Sequence, residues 1–208
     1  MLTRWSSLIS QTQATTRALD ELTILVLGAA SIAASVIVLP NALGVIGGIL
    51  AILMIAIAVI DARRFVIPNE LTAAALALGF LNAAMQGADL VPGLLASAAL
   101  RGAVMAIALL SLRVLYRRIR GHEGIGLGDV KLAGVAGVWL DWWVLPVAIE
   151  IAALAAIAVY AVRFLYGRRP SARLKAKLPF GLFLAPAIWV GWLLESALFP
   201  VPSGALLQ

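Results

Sequence analysis

The sequence has no cysteine, a single histidine and few charged residues for its length. Without cysteine the chain can form neither a disulfide nor a thiolate metal site. The single histidine, His122, argues against a multi-histidine metal site and against a serine–histidine catalytic system. Charged residues make up 12% of the chain and hydrophobic residues 63%, whereas soluble domains usually carry roughly 25% and about 45–50%. The composition therefore predicts a protein surrounded mostly by lipid, and we expect no metal and no other cofactor.

Long apolar runs separated by short polar connectors organise the chain. A helix needs about 20 apolar residues to cross a bilayer. The run from Leu22 to Ile60 is too long for one crossing, and Pro40-Asn41 divides it in two. We predict an all-α, polytopic transmembrane bundle with a polar lead over 1–21, one membrane domain over 22–199 and a tail over 200–208. About seven spans are expected, near 22–39, 43–60, 69–86, 92–115, 129–143, 144–166 and 180–199.

Basic residues lie in alternate connectors of this predicted bundle. The connectors after spans two, four and six are all basic, and those around Asn41, Asp89 and Asp141 contain no Lys or Arg. Basic connectors stay on the cytoplasmic side, which predicts an N-terminus inside and a C-terminus outside. The net charge of +6 is therefore expected to face a lipid bilayer surface rather than nucleic acid.

Two aspartates fall at the same predicted membrane depth. Asp61 ends the second span and Asp129 begins the fifth, so both are expected near the cytoplasmic surface. Each also has a simpler interpretation, Asp61 as a helix-end charge among headgroups and Asp129 as a helix N-cap. However, a carboxylate at a helix C-terminus opposes the helix dipole, so Asp61 is poorly explained by stability alone.

The residues around both aspartates favour a shared site. Pro68 disfavours a helical conformation at Ile67, and Asn69 can cap the helix that follows, so the chain turns and re-enters the membrane here. Three glycines precede Asp129 and would let an extended backbone approach it closely, as a peptide substrate must. These glycines are Gly124, Gly126 and Gly128.

Three segments resemble motifs of the type IV prepilin peptidase family, and the resemblance covers roughly residues 43–195. Residues 61–72 (DARRFVIPNELT) resemble the family's first aspartate motif, and residues 126–132 (GLGDVKL) resemble its second, G-x-G-D. Residues 177–181 (KLPFG) are similar to a third, weaker segment. The resemblance implies that Asp61 and Asp129 are catalytic. By the same motifs, the residues implied to support the site are Arg63, Pro68, Asn69, Gly126, Gly128 and Lys131.

The function implied by this resemblance is a membrane aspartic endopeptidase. It would remove the leader peptide of type IV prepilins or pseudopilins at the cytoplasmic face of a prokaryotic inner membrane, with two aspartates activating water. Helix dipoles would favour a protonated Asp61 and an ionised Asp129. Larger family members carry a cysteine-containing segment and also N-methylate their product. The cysteine-free chain resembles the short, protease-only form, so methylation is not expected.

Other functions remain possible from the residues alone. Presenilin-like and signal-peptide-peptidase-like proteases share G-x-G-D, although Ile67-Pro68-Asn69 favours the prepilin group. A small proton-coupled transporter could use Asp61, Asp129 and Glu150, but it would be expected to hold carboxylates at mid-membrane and to show inverted repeats. A structural subunit of a secretion machine would leave the aspartate pair unexplained.

Four further polar residues are expected to have no part in catalysis. His122 and Glu123 are expected in a solvated loop, and Arg101 is expected to pack in the bundle or to extend its charge towards the surface. Lys131 would face largely away from Asp129 on a helix, which suggests only an anchor at the membrane surface.

Overall fold

The computed structural model describes residues 21–87, 90–121, 123–166 and 179–199. Within these ranges the regular structure is helical and contains no strand, which confirms the all-α prediction. The predicted lead and tail, His122 and most of the connector after the sixth span lie outside the described residues. The helices follow the predicted spans closely and are α1 (Glu21–Val38), α2 (Ala42–Arg64), α3 (Asn69–Ala84), α4 (Val91–Arg120), α5 (Leu127–Trp139), α6 (Val144–Leu165) and α7 (Gly181–Leu198).

Five of these helices are long and apolar enough to cross a bilayer, namely α1, α2, α4, α6 and α7. Helix α3 has 16 residues and α5 has 13. At 1.5 Å per residue α5 is only about 20 Å long, whereas the hydrocarbon core is about 30 Å thick. The predicted fifth span extended to Trp143, but the helix ends at Trp139 because Leu140 is extended. These five helices identify the chain as a membrane protein. The count of seven crossings stays a prediction.

The break between the first two helices occurs where the sequence predicted it. Asn41 caps α2, and its side-chain oxygen accepts hydrogen bonds from the backbone N–H groups of Leu43 at 2.9 Å and Gly44 at 3.3 Å. At the other end α2 continues past Asp61 to Arg64. Phe65 then adopts a left-handed conformation with φ of 56°, and its N–H donates to the carbonyl of Asp61 at 2.9 Å.

Helix α5 lies at the centre of the bundle and is buried from Leu132 to its end. On one side Trp139 donates from its indole nitrogen to the carbonyl of Ala75 in α3 at 2.8 Å. On another side its ring meets Trp192 of α7 edge to face, with centroids 6.3 Å apart. Helix α4 approaches at Gly102 and Gly137, where a Cβ on Gly137 would lie 2.8 Å from the Cα of Gly102. These contacts fix the helix whose first turn carries Asp129.

A polar cluster joins three helices at the C-terminal end of α5. Arg101 of α4 donates to the carbonyl of Gly137 at 3.2 Å and lies 3.6 Å from the carboxylate of Asp141. The backbone N–H of Asp141 in turn donates to Glu195 of α7 at 3.0 Å. Arg101 therefore packs within the bundle, which is one of the two roles expected for it.

Candidate active site

Asp61 is held in the last turn of α2 by a contact with the start of α7. Its side chain is buried, with 5% of the residue exposed. One carboxylate oxygen accepts a hydrogen bond from the backbone N–H of Leu182 at 3.0 Å. The N–H groups in the first turn of a helix lack partners within that helix and favour an anionic acceptor. The first turn of α7 thus fixes the orientation of the Asp61 carboxylate.

Asp129 is the third residue of α5, a helix that is not among the five long apolar ones. Its carboxylate accepts a hydrogen bond from the N–H of Gly126 at 3.1 Å, so Gly126, not Asp129, occupies the N-cap position. Burial, with a smaller contribution from the negative charge of Asp61, raises the pKa of Asp129 to about 6 against the opposing effect of the Gly126 N–H. A carboxyl group that titrates near neutral pH can exchange protons during catalysis.

The two aspartates line the same space. A cavity of ≈ 90 Å³ opens beside the pair, with room for a few water molecules. A second cavity of ≈ 310 Å³ also borders both aspartates. Both cavities are bordered by Asp61, Phe65, Gly126 and Asp129. The structure therefore brings together the two carboxylates that the sequence placed at one membrane depth.

Ile67 packs against the starts of α5 and α7, next to the aspartate pair. A Cβ on Gly128 would lie 2.9 Å from the Cβ of Ile67, and a Cβ on Gly181 would lie 2.7 Å from its Cδ1. A Cβ on Gly181 would also lie 2.8 Å from a carboxylate oxygen of Asp61, so Gly181 is close to the catalytic candidate as well. Glycine at 128 thus serves the packing of Ile67 against α5, which the sequence interpretation of this residue did not include.

The motif residues predicted to support the site divide into two groups. Asn69, Gly126, Gly128 and Lys131 line the second cavity. Pro68 precedes α3 in an extended conformation and Arg63 is exposed in the last turn of α2, and neither borders these two cavities.

Asn69 and Lys131 contact each other, which the sequence interpretation missed. Asn69 was expected to cap α3, but the N-cap of that helix is Pro68 and makes no side-chain hydrogen bond. The Asn69 side-chain oxygen instead accepts a hydrogen bond from the ammonium group of Lys131 at 2.6 Å. Lys131 therefore has a specific partner beside the aspartates, besides any role at the membrane surface.

Further residues at the site were also missed from the sequence. Glu123, expected in a solvated loop, lines the smaller cavity and accepts a hydrogen bond from Arg113 of α4 at 2.9 Å. Gly181 and Leu182 contact Asp61 directly. The signal for Gly181 was the weak third motif, of which Lys177 and Leu178 lie outside the described residues, and Leu182 directly follows that motif. No local pattern reveals that this segment meets Asp61.

The described part of the chain is a helical membrane protein in which two acidic side chains border the same cavities, and these features define its class. Comparison with known families identifies its group, since the model of the type IV leader peptidase family matches residues 48–162. The match covers more than half of the chain. The chain therefore belongs to the type IV leader peptidase family.

Individual relatives agree with this assignment. A prepilin leader peptidase/N-methyltransferase of Burkholderia pseudomallei strain 1026b is 48% identical over 71 residues, which are 34% of this chain and 22% of that protein. The protein of the same description from Pseudomonas aeruginosa is 34% identical over 143 residues, or 67% of this chain and 46% of its own length. The leader peptidase HopD of Escherichia coli is 34% identical over 133 residues, or 64% of this chain and 82% of HopD. The chain thus spans less than half of the two longer relatives. No solved structure matches it.

Proposed function

We propose that this protein is a membrane aspartic endopeptidase that removes the leader peptide of type IV prepilins or pseudopilins. The observation that carries the proposal is that Asp61 and Asp129, from separate helices, border the same pair of cavities. The descriptions of its relatives as prepilin leader peptidase and leader peptidase support the choice of substrate.

The proposed mechanism uses one proton shared by the two carboxylates. Two carboxylates in one site are not both readily ionised, so one holds a proton and the other does not. The ionised carboxylate takes a proton from a water molecule between them, and the resulting hydroxide attacks the scissile carbonyl. The protonated carboxylic acid donates a hydrogen bond to the carbonyl oxygen and stabilises the charge that develops there. The smaller cavity has room for this water.

The N-terminal ends of α7 and α5 both favour an ionised carboxylate, at Asp61 and Asp129 respectively. The sequence suggested a protonated Asp61 because it lies near the C-terminus of α2. In the structure, however, Asp61 also accepts an N–H from the first turn of α7, just as Asp129 accepts one from the N-cap of α5. We therefore treat the proton as belonging to the pair and do not assign it to one residue.

The proposed location is the cytoplasmic side of a prokaryotic inner membrane. Arg63 and Arg64 end α2 beside Asp61, and Arg117, Arg118 and Arg120 end α4 shortly before Asp129. Basic residues at these helix ends favour the cytoplasmic leaflet. A substrate with a short basic leader and a following apolar helix would then present the bond between them at the depth of the aspartates.

The experiment that tests this function follows leader removal in cells. Prepilins or pseudopilins from the same genome are co-expressed with the wild type, Asp61→Asn or Asp129→Asn, and the products are analysed by gel shift and N-terminal sequencing. We expect cleavage by the wild type and none by either variant, with membrane insertion unchanged. Asp141→Asn is the matched control, because it removes an acidic group at the other end of α5 and should still cleave. Normal processing by either site variant would refute the two-aspartate mechanism.

The same products test whether the enzyme also transfers a methyl group. We propose that it does not, because its resemblance is to the cysteine-free, protease-only form. Mass spectrometry of the mature substrate should therefore show a free, unmethylated N-terminus. A methylated N-terminus that depends on this protein would refute the protease-only proposal and leave the peptidase activity intact.

A further inference from the structure

The Lys131–Asn69 hydrogen bond joins the two segments that carry the aspartates. The two residues are 62 positions apart, and the 2.6 Å distance is short for a bond from an ammonium group to an amide oxygen. Asn69 is the first residue of α3, and Lys131 lies in the first turns of α5, two residues after Asp129. Both side chains are exposed, so the bond buries no polar group. Its contribution is to fix the distance between the two segments.

One hydrogen bond and apolar packing connect these two segments. In the described part of the chain, Lys131–Asn69 is the one hydrogen bond between residues 61–72 and residues 123–132. The apolar packing includes Ile67 against Gly128, and Ile67, Leu71 and Leu132 belong to the same apolar core. Asp61 is bonded to α7, whereas Asp129 is bonded only within its own loop, through Gly126. The spacing between the carboxylates therefore depends on how the loop before α5 is held against the loop after α2.

We propose that Lys131 and Asn69 are positioning residues that hold Asp129 at its working distance from Asp61, an inference that rests on the function proposed above. Lys131 borders the larger cavity together with both aspartates, but its ammonium group is bonded to Asn69 of α3 and not to either carboxylate. The bond therefore links the first turns of α5 and α3 beside the carboxylate pair. The flexible stem and charged donor of Lys131 suit an exposed contact of this kind.

Kinetics of leader cleavage provide the first test. Lys131→Met keeps most of the stem and removes the donor, and Asn69→Ala removes the acceptor. Each is expected to lower kcat by about 10- to 100-fold with little change in KM, because a small displacement of a catalytic group is sufficient for such a loss. The double variant should lose no more than either single variant, since both break the same bond. Lys131→Arg keeps a charged donor and should recover much of the activity.

The matched control is Arg118→Met, which removes an exposed positive charge at the end of α4. It should leave kcat and KM unchanged. A rise in KM with unchanged kcat in Lys131→Met would instead mean that the ammonium group binds substrate, and would overturn the positioning role. Full activity in both single variants would overturn it as well.

A second measurement reports the distance between the two segments that carry the aspartates and needs no substrate. The chain has no cysteine, so Ala62→Cys and Leu127→Cys introduce a unique pair of thiols at exposed positions beside the two aspartates. Their cross-linking by a short bifunctional thiol reagent is measured in membranes and normalised to the rate with a monofunctional reagent. Adding Lys131→Met or Asn69→Ala should change the normalised rate at least about threefold, as for a contact that sets the spacing. Adding Arg118→Met should not.

The two measurements separate this inference from the proposed function. If the cross-linking rate changes as expected but the wild type cleaves no prepilin, the positioning contact stands and the peptidase proposal fails. If prepilins are cleaved but neither substitution changes the cross-linking rate, the peptidase proposal stands and the positioning role is refuted.

Discussion

The carboxylate of Asp61 accepts a hydrogen bond from the backbone N–H of Leu182 at 3.0 Å, although the two residues are 121 positions apart. The preceding residue, Gly181, begins α7 and has no side chain to separate the two groups. The start of α7 is therefore part of the site in the same sense as the two aspartate motifs. Its contribution is to orient one carboxylate of the pair.

Replacing Gly181 with alanine tests this contact. The added Cβ would lie 2.8 Å from a carboxylate oxygen of Asp61 and 2.7 Å from Ile67, so α7 or Asp61 must move. We expect leader cleavage by Gly181→Ala to fall by about 10- to 100-fold, because catalysis depends on sub-ångström placement of the reacting groups. Gly93→Ala in α4 is the control, since a Cβ there meets no atom within 4 Å. Equal activity in the two variants would show that the start of α7 does not set the geometry.

Phe65 combines a strained backbone with a place at both cavities. Its φ of 56° lies in the left-handed region, which costs a non-glycine residue roughly 1–2 kcal/mol. Phe65→Gly should therefore raise the free energy of unfolding by up to about 1 kcal/mol, less whatever packing of the ring is lost. The same change should lower leader cleavage, because the ring lines the space beside both aspartates.

Thermal unfolding in detergent and cleavage assays on the same preparation measure both effects of Phe65→Gly. Phe65→Ala is the control, since it removes the ring but keeps the strained backbone, and it should lose activity without the gain in stability. If Phe65→Gly cleaved as well as the wild type, the ring would have no role in the site.

The sequence predicted the helices well because a bilayer span can be recognised from the consecutive residues that form it. Apolar runs and Pro40-Asn41 mark where helices end, and neither signal requires a distant residue. The length of α5 was overestimated because an extended Leu140 is as apolar as a helical one.

The aspartate pair was predictable for a similar reason, since membrane depth is readable from span order and charge. The contacts made by Leu182 with Asp61 and by Lys131 with Asn69 were not predictable, because each depends on how helices distant in sequence pack together. For Glu123 the sequence shows only a polar loop residue, and its position at the cavity follows from its bond to Arg113 of α4.

The pH dependence of cleavage follows from the titration of the pair. The pKa of Asp129 is raised from 3.8 to about 6, chiefly by burial and in part by the negative charge of Asp61, so the pair loses a proton as pH rises through about this value. The mechanism needs one proton on the pair, and this proton is lost as pH rises through the raised value. We therefore expect kcat/KM to decline above about pH 6, by about tenfold per pH unit once the limb is established.

A pH–rate profile from about pH 5 to about pH 9 measures this limb. Asp141→Asn is the control, because it changes an acidic residue that lines neither cavity and should leave the midpoint where it is. A rate that rose steadily across this range would contradict a mechanism that requires a protonated carboxyl group.

Two glycines of α5 offer a matched pair of substitutions with opposite expected effects on stability. A Cβ on Gly137 would lie 2.7 Å from the carbonyl carbon of Arg101 and 2.8 Å from the Cα of Gly102, so the backbones of α4 and α5 must separate. A Cβ on Gly134 would meet the Cβ of Ala106 at 3.6 Å, an ordinary van der Waals contact. Alanine also forms helix better than glycine, by roughly 0.5–1 kcal/mol.

Gly137→Ala should therefore lower the free energy of unfolding by about 1–3 kcal/mol, as overpacking does in other cores, and Gly134→Ala should leave it unchanged or raise it by up to about 1 kcal/mol. For a chain of this size each kcal/mol corresponds to a Tm shift of about 2–4 °C, which unfolding in detergent can resolve. Helix α5 carries Asp129 at its other end, so cleavage by Gly137→Ala should also fall at temperatures where the protein stays folded. Equal Tm values for the two variants would show that α4 and α5 are not packed backbone to backbone at Gly102 and Gly137.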